Sequence, residues 1–65
     1  MNILLNGEPL ETNAEHLKEL VDSLGYGQNK IAAALNGTFV PFSHYESTSL
    51  CEGADIEIVA PMQGG

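Results

Sequence analysis

Residues 30–41 read KIAAALNGTFVP, and the class of the fold turns on whether the alanine-rich half is helix or strand. Alanine is the best helix former, so propensity alone favours a helix. Three features argue for a strand: the run is short, Gly27 stands just upstream, and Asn36-Gly37 follows immediately. Asn-Gly between apolar runs is among the strongest signals for a tight hairpin turn, because both residues accept the positive φ that such a turn demands. The segment is therefore expected to run out as one strand over 30–35 and return through Thr38-Phe39-Val40, closed by Pro41. The small alanines would then mark where a helix presses closely on the sheet.

Working outward, the N-terminal stretch repeats the logic. NILLN at 2–6 is an aliphatic strand, Asn6-Gly7 supplies a second hairpin turn, and Glu8 to Thr12 returns. Pro9 places that return near a sheet edge or strand start, since proline cannot donate to a ladder. Thr12 and Glu15 have the spacing of a capping box, with Asn13 as a rival N-cap. Beyond them Leu17, Leu20, Val21 and Leu24 form one stripe of an amphipathic helix, with Glu15, Lys18, Glu19 and Asp22 opposite. Gly25 provides its left-handed stop.

Residues 42–51 lack a clear period and read as a loop with room for a short helical turn. Glu52 to Asp55 is a turn, and Asp55-Ile56-Glu57-Ile58-Val59 alternates as a half-buried strand that Pro61 ends. The order is strand, strand, helix, strand, strand, strand. A last strand inserted between two hairpins, parallel to the first, makes an α+β fold of the β-grasp type. It has a mixed sheet of four to five strands with one helix across its face. The expected organisation is one β-grasp domain over 1–60 and a flexible Gly-Gly tail over 61–65.

Size and charge narrow the function. A chain of 65 residues buries only about 60% of its unfolded surface, leaving no room for an enclosed catalytic cavity. A carrier or interaction module working through partners is expected rather than an enzyme. Nine acidic residues against two lysines give a formal charge of -7. That surface repels phosphate backbones, so nucleic acid is not an expected partner. The charge either steers the protein to a basic surface or simply keeps a small monomer soluble. The start MNILLNG has neither the basic region nor the long apolar core of a signal peptide, and no run suits a membrane span. A cytoplasmic location is expected.

Few side chains suggest chemistry. His16 and His44 have no metal-ligand spacing, and both are expected to be solvent-facing or locally hydrogen-bonded. Cys51, the single cysteine, has acidic Glu52 beside it and no nearby base; a small, partly buried packing residue is expected. No carboxylate pair or phosphate-binding glycine loop stands out. What remains is the end, Pro61-Met62-Gln63-Gly64-Gly65. Five such residues reach about 16 to 18 Å when extended, enough to carry a terminal carboxylate into a partner's slot. Residue physics leaves open whether this is a working group or a passive terminus.

Three stretches, NILLNGEP, ALNGTFVP and DIEIVAPMQGG, together resemble the ThiS family of sulfur carriers in thiamine biosynthesis, over essentially the whole chain. The resemblance implies a ubiquitin-like fold and chemistry shared with the small subunit of molybdopterin synthase. It further implies that the Gly65 carboxylate is adenylated by an ATP-dependent (ThiF-like) enzyme and converted to a thiocarboxylate. The sulfur would come from a donor such as a cysteine desulfurase and pass to a thiazole synthase (ThiG-like). Gln63, Gly64 and Gly65 would then enter partner active sites, with no bound cofactor or metal in the carrier itself. Several relatives carry arginine after the Val-Pro pair, where this chain has Phe42. Phe42 is expected to pack under the loop; the alternative is a docking patch with Phe39 and Met62. Carriage of sulfur to molybdopterin, attachment to other proteins as a ubiquitin-like modifier, and an acidic interaction domain with a passive tail are the competing functions.

Overall fold

The two Asn-Gly pairs turn as expected. Asn6 and Asn36 sit at φ 52° and 51°, and the glycines after them at 85°, the mirror-image turn that matches strand twist. The computed structural model describes residues 1–26 and 30–60. Within them β1 (Asn2–Leu5) pairs antiparallel with β2 (Glu8–Glu11), and β3 (Ala32–Leu35) with β4 (Thr38–Val40). The alanine-rich run is thus a strand.

The last strand, β5 (Asp55–Val59), enters between the hairpins. It lies parallel to β1 and antiparallel to β3, giving the order β2-β1-β5-β3-β4. Pro9 falls in the edge strand β2, where its missing N–H leaves no ladder bond unmade.

Helix α1 spans Leu17–Ser23 and buries Leu17, Leu20 and Val21. These meet Ile3, Ala33, Val40, Ile56 and Ile58 from the sheet in one core. Burying a leucine fully is worth about 1.5–3 kcal/mol, and truncating one to alanine typically costs about 2–5, much of the stability of so small a domain. Gly25, at φ 86°, ends the helix as expected.

The expected capping box does not form. Thr12 Oγ1 accepts a bond from the Ala14 amide at 3.1 Å, and the helix begins five residues later with His16 as its N-cap. His16 Nδ1 accepts from the Glu19 amide at 3.4 Å, while Glu19 Oε1 accepts from the Glu15 amide at 2.7 Å. The delay has a non-local cause. Leu50 donates its N–H to the Glu15 carbonyl and Leu17 donates to the Thr48 carbonyl, so His16 is held extended against Ser49. Pairing with a distant segment overrides the local box.

The alanines divide. Ala33 is buried under the helix, but its neighbours Ala32 and Ala34 face the other side of the sheet, so close helix contact accounts for only one of the three. The short helical turn anticipated after Pro41 is a 3-10 helix over Phe42–Ser47, packed against α1. Its Tyr45 is 1% exposed and completes the core. Among the described residues no helix is long and apolar enough to cross a membrane.

Burial pushes the Tyr45 phenol above its ordinary value of 10.0. An unfolded chain would release that proton first, so this contribution to stability is constant below about pH 10 and falls as pH rises further. Tyr45→Phe should remove the alkaline loss while staying within about 1 kcal/mol of the unaltered protein near neutrality. Urea midpoints taken below and above the tyrosine range check both expectations.

Candidate functional site

Strand β5 has a covered face and an open one. Ile56 and Ile58 point under the helix; Asp55, Glu57 and Val59 point away from it. Register then sets their company. Val59 lies beside Ala32, Glu57 beside Ala34, Ala34 beside Phe39, and Asp55 beside Leu4. Because Ala32 and Ala34 are short while Phe39 and Val59 are bulky, a shallow hollow of about 410 Å³ opens among them, with Asn6 and Glu57 also lining it.

Three of the four exposed large apolar side chains among the described residues stand on this face. Phe39 is 65% exposed, Val59 62% and Leu4 38%. Large apolar groups left clustered in water mark an interaction surface more often than a bare one. Asp55 and Glu57 put two carboxylates on this face. Lys18 lies on the helix, bonded through Nζ to Asp22 at 2.8 Å, a contact that holds its ammonium above the ordinary value.

The residues singled out from sequence fare differently. Phe39 lines the hollow. Phe42 leans edge-on against Tyr45, ring centroids 5.3 Å apart, yet remains 69% exposed, so the expected packing is partial. It does not line the hollow with Phe39. Met62, Gln63, Gly64 and Gly65 lie outside the described residues, as does the expected strand stop at Pro61. Cys51 is exposed rather than partly buried. It sits at the start of the turn into β5, where the Ala54 amide bonds back to its carbonyl; that turn needs its backbone and leaves the side chain in water. His16 is locally hydrogen-bonded, as expected.

Leu4, Ala32, Ala34 and Val59 went unnoticed as a group. Alternation already put Val59 on the face of Glu57, but no local pattern says which face the helix leaves bare.

A mixed sheet crossed by one helix, with its last strand inserted beside the first, defines a ubiquitin-like β-grasp protein. The crystal structure of the thiamine biosynthesis protein ThiS from Geobacter metallireducens matches over all of both chains, with a TM-score of 0.83 at 29% identity. A solution NMR structure of a thiamine biosynthesis protein from the same organism also scores 0.83, at 26% identity, over all of this chain and 88% of that one. In sequence, the chain is 33% identical over 63 residues to the sulfur carrier protein ThiS of Thermus thermophilus, covering 97% of this chain and 98% of the relative. The ThiS family model matches residues 3–65. The chain belongs to the ThiS family.

Exposure of Cys51 implies that a thiol reagent will label the folded protein in native buffer, without prior unfolding. Cys51→Ser should shift stability by less than about 0.5 kcal/mol, as surface changes do. Labelling kinetics and a urea melt of the variant test the two halves separately.

Proposed function

We propose that this chain is a sulfur carrier for thiamine biosynthesis whose reacting group is the carboxylate of Gly65. The match to the ThiS family, which runs through the final glycine, carries the reading. Chemistry supports it. A carboxylate resists nucleophiles because it is anionic. Attack of its oxygen on the α-phosphate of ATP expels pyrophosphate and makes an acyl adenylate with a good leaving group. Hydrosulfide then adds at the acyl carbon, AMP departs, and the net change is one oxygen replaced by sulfur. The thiocarboxylate so formed hands its sulfur to a thiazole-forming enzyme.

The carrier supplies no catalytic group in this scheme. Gly64 and Gly65 have no side chain to obstruct a narrow channel, and Gln63 leads them in. The folded body docks outside through the open sheet face. Its occupant is the adenylating enzyme, presenting an apolar surface flanked by lysine or arginine. Two observations favour that choice: Asp55 and Glu57 share the face with Phe39 and Val59, and the face continues along β5 toward the tail. Oppositely charged surfaces of this kind accelerate encounter at low salt.

Incubation with the adenylating enzyme, ATP and a sulfur source should change the intact mass by one sulfur for one oxygen. A chain extended by one residue beyond Gly65 should remain unmodified; equal loading of the extended chain would refute the terminal-carboxylate mechanism, and higher-mass conjugates in extracts would indicate a modifier instead. For the docking face, Phe39→Ala should raise KM for adenylation about tenfold. Its stability should move by no more than about 0.5 kcal/mol. An unchanged KM would place the enzyme elsewhere.

A further inference from the structure

The side chain of Asn6 does more than occupy a turn. Strand β1 pairs with β5 through Leu4 beside Asp55 and Leu5 beside Ile56, and the Asn6 amide donates to the Ile56 carbonyl at 2.8 Å. There β1 stops, because Asn6 at φ 52° swings the backbone into the hairpin. A continued parallel ladder would next engage both the N–H and the C=O of Ile58. The Asn6 carboxamide engages them instead: Ile58 donates to Oδ1 at 2.9 Å, and Nδ2 donates to the Ile58 carbonyl at 3.2 Å. The side-chain amide stands in for a peptide unit and carries the ladder one step further toward the C-terminus. On the opposite edge β3 remains paired as far as Val59.

We propose that Asn6 is a positioning residue for the C-terminal segment: its bidentate bond to Ile58 fixes the end of β5, from which the chain carries on to Gly65. The inference rests on the reading of Gly65 as the reacting end. Misplacing a reacting group by about 1 Å can cost a hundredfold in rate, and Ile58 is the last residue of β5 fastened by a side chain on the β1 edge.

The fold contains its own control. Asn36 occupies the equivalent turn of the other hairpin at φ 51°, and its Oδ1 accepts from the Asp55 amide at 2.9 Å. That bond holds the far end of the same strand. Replacing either asparagine by glycine leaves Gly-Gly, a pair that also suits the turn, and leaves the charge unchanged. Both variants lose a side-chain hold on β5, but only one loses it beside the tail.

The test combines adenylation kinetics with amide hydrogen exchange on Asn6→Gly and Asn36→Gly. Asn6→Gly is expected to speed exchange at Ile58 and to lower kcat about tenfold or more, with KM kept within about twofold. Asn36→Gly is expected to leave kcat unchanged. Asn6→Asp serves as the second variant: it retains an acceptor for the Ile58 amide, loses the donor to its carbonyl, and should fall between the two. Since Asn6 also lines the hollow, an effect confined to KM would assign it to docking and overturn the proposal. So would an equal fall in kcat for both glycine variants, or fast Ile58 exchange with an unaltered kcat. If the unaltered chain accepts no AMP at all, the carrier reading itself fails; if it does and Asn6→Gly matches it, only the positioning role is lost.

Discussion

The structure depends on the acceptance of β5 between two hairpins that do not otherwise touch through a ladder. The strand is hydrogen-bonded along both edges, and its alternation drives Ile56 and Ile58 under the helix. Its parallel partner β1 lies some fifty residues earlier in the chain, and bringing such distant segments together carries a closure entropy that local turns do not. That cost is offset where the gains concentrate. Leu17, Leu20 and Val21 meet the two isoleucines and Ile3 in the same core. The hairpins make an edge each ready; only the last strand makes them one sheet.

The proposed function turns on where that strand ends. Because β5 is central, the segment that follows leaves from the middle of the sheet, next to the most firmly bonded part of the fold, where opening is rarest. A reactive end mounted on an edge strand would share in the fraying of that edge. Central placement also brings the end of β5 beside the open face, and in the proposed role one partner holds the body by Phe39 and Val59 while it receives the tail. The helix and the 3-10 turn beside it pack on one face, which leaves the other available.

Asn6 and Asn36 join these themes. Each is a turn residue by virtue of tolerating positive φ, and each spends its carboxamide on the central strand. The Asn-Gly pairs were legible at once as hairpin turns. Nothing near them in the chain shows that the side chains reach 52 and 19 residues away. The same division runs through the helix, whose buried stripe follows from spacing alone, whereas its start at Leu17 reflects hydrogen bonds with Thr48 and Leu50. Phe39 was a visible candidate for the proposed docking face; Ala32 and Ala34 were read toward the helix because composition could not say which side of the sheet they join.

What the amino-acid order determined by itself is everything governed by near neighbours: both turns, the apolar stripe from Leu17 to Leu24, the alternation of β5, and hence the sequence of elements that defines the fold. Steric limits on φ and ψ and the periods of helix and strand act over a few residues, so these features are written locally. Tertiary structure alone decided that Cys51 stands in water, that Ala32 and Ala34 line a hollow with Val59, and that two asparagines clasp the same strand from opposite sides. Each depends on which face meets the helix and which distant backbone arrives alongside, and no short window of sequence contains both partners.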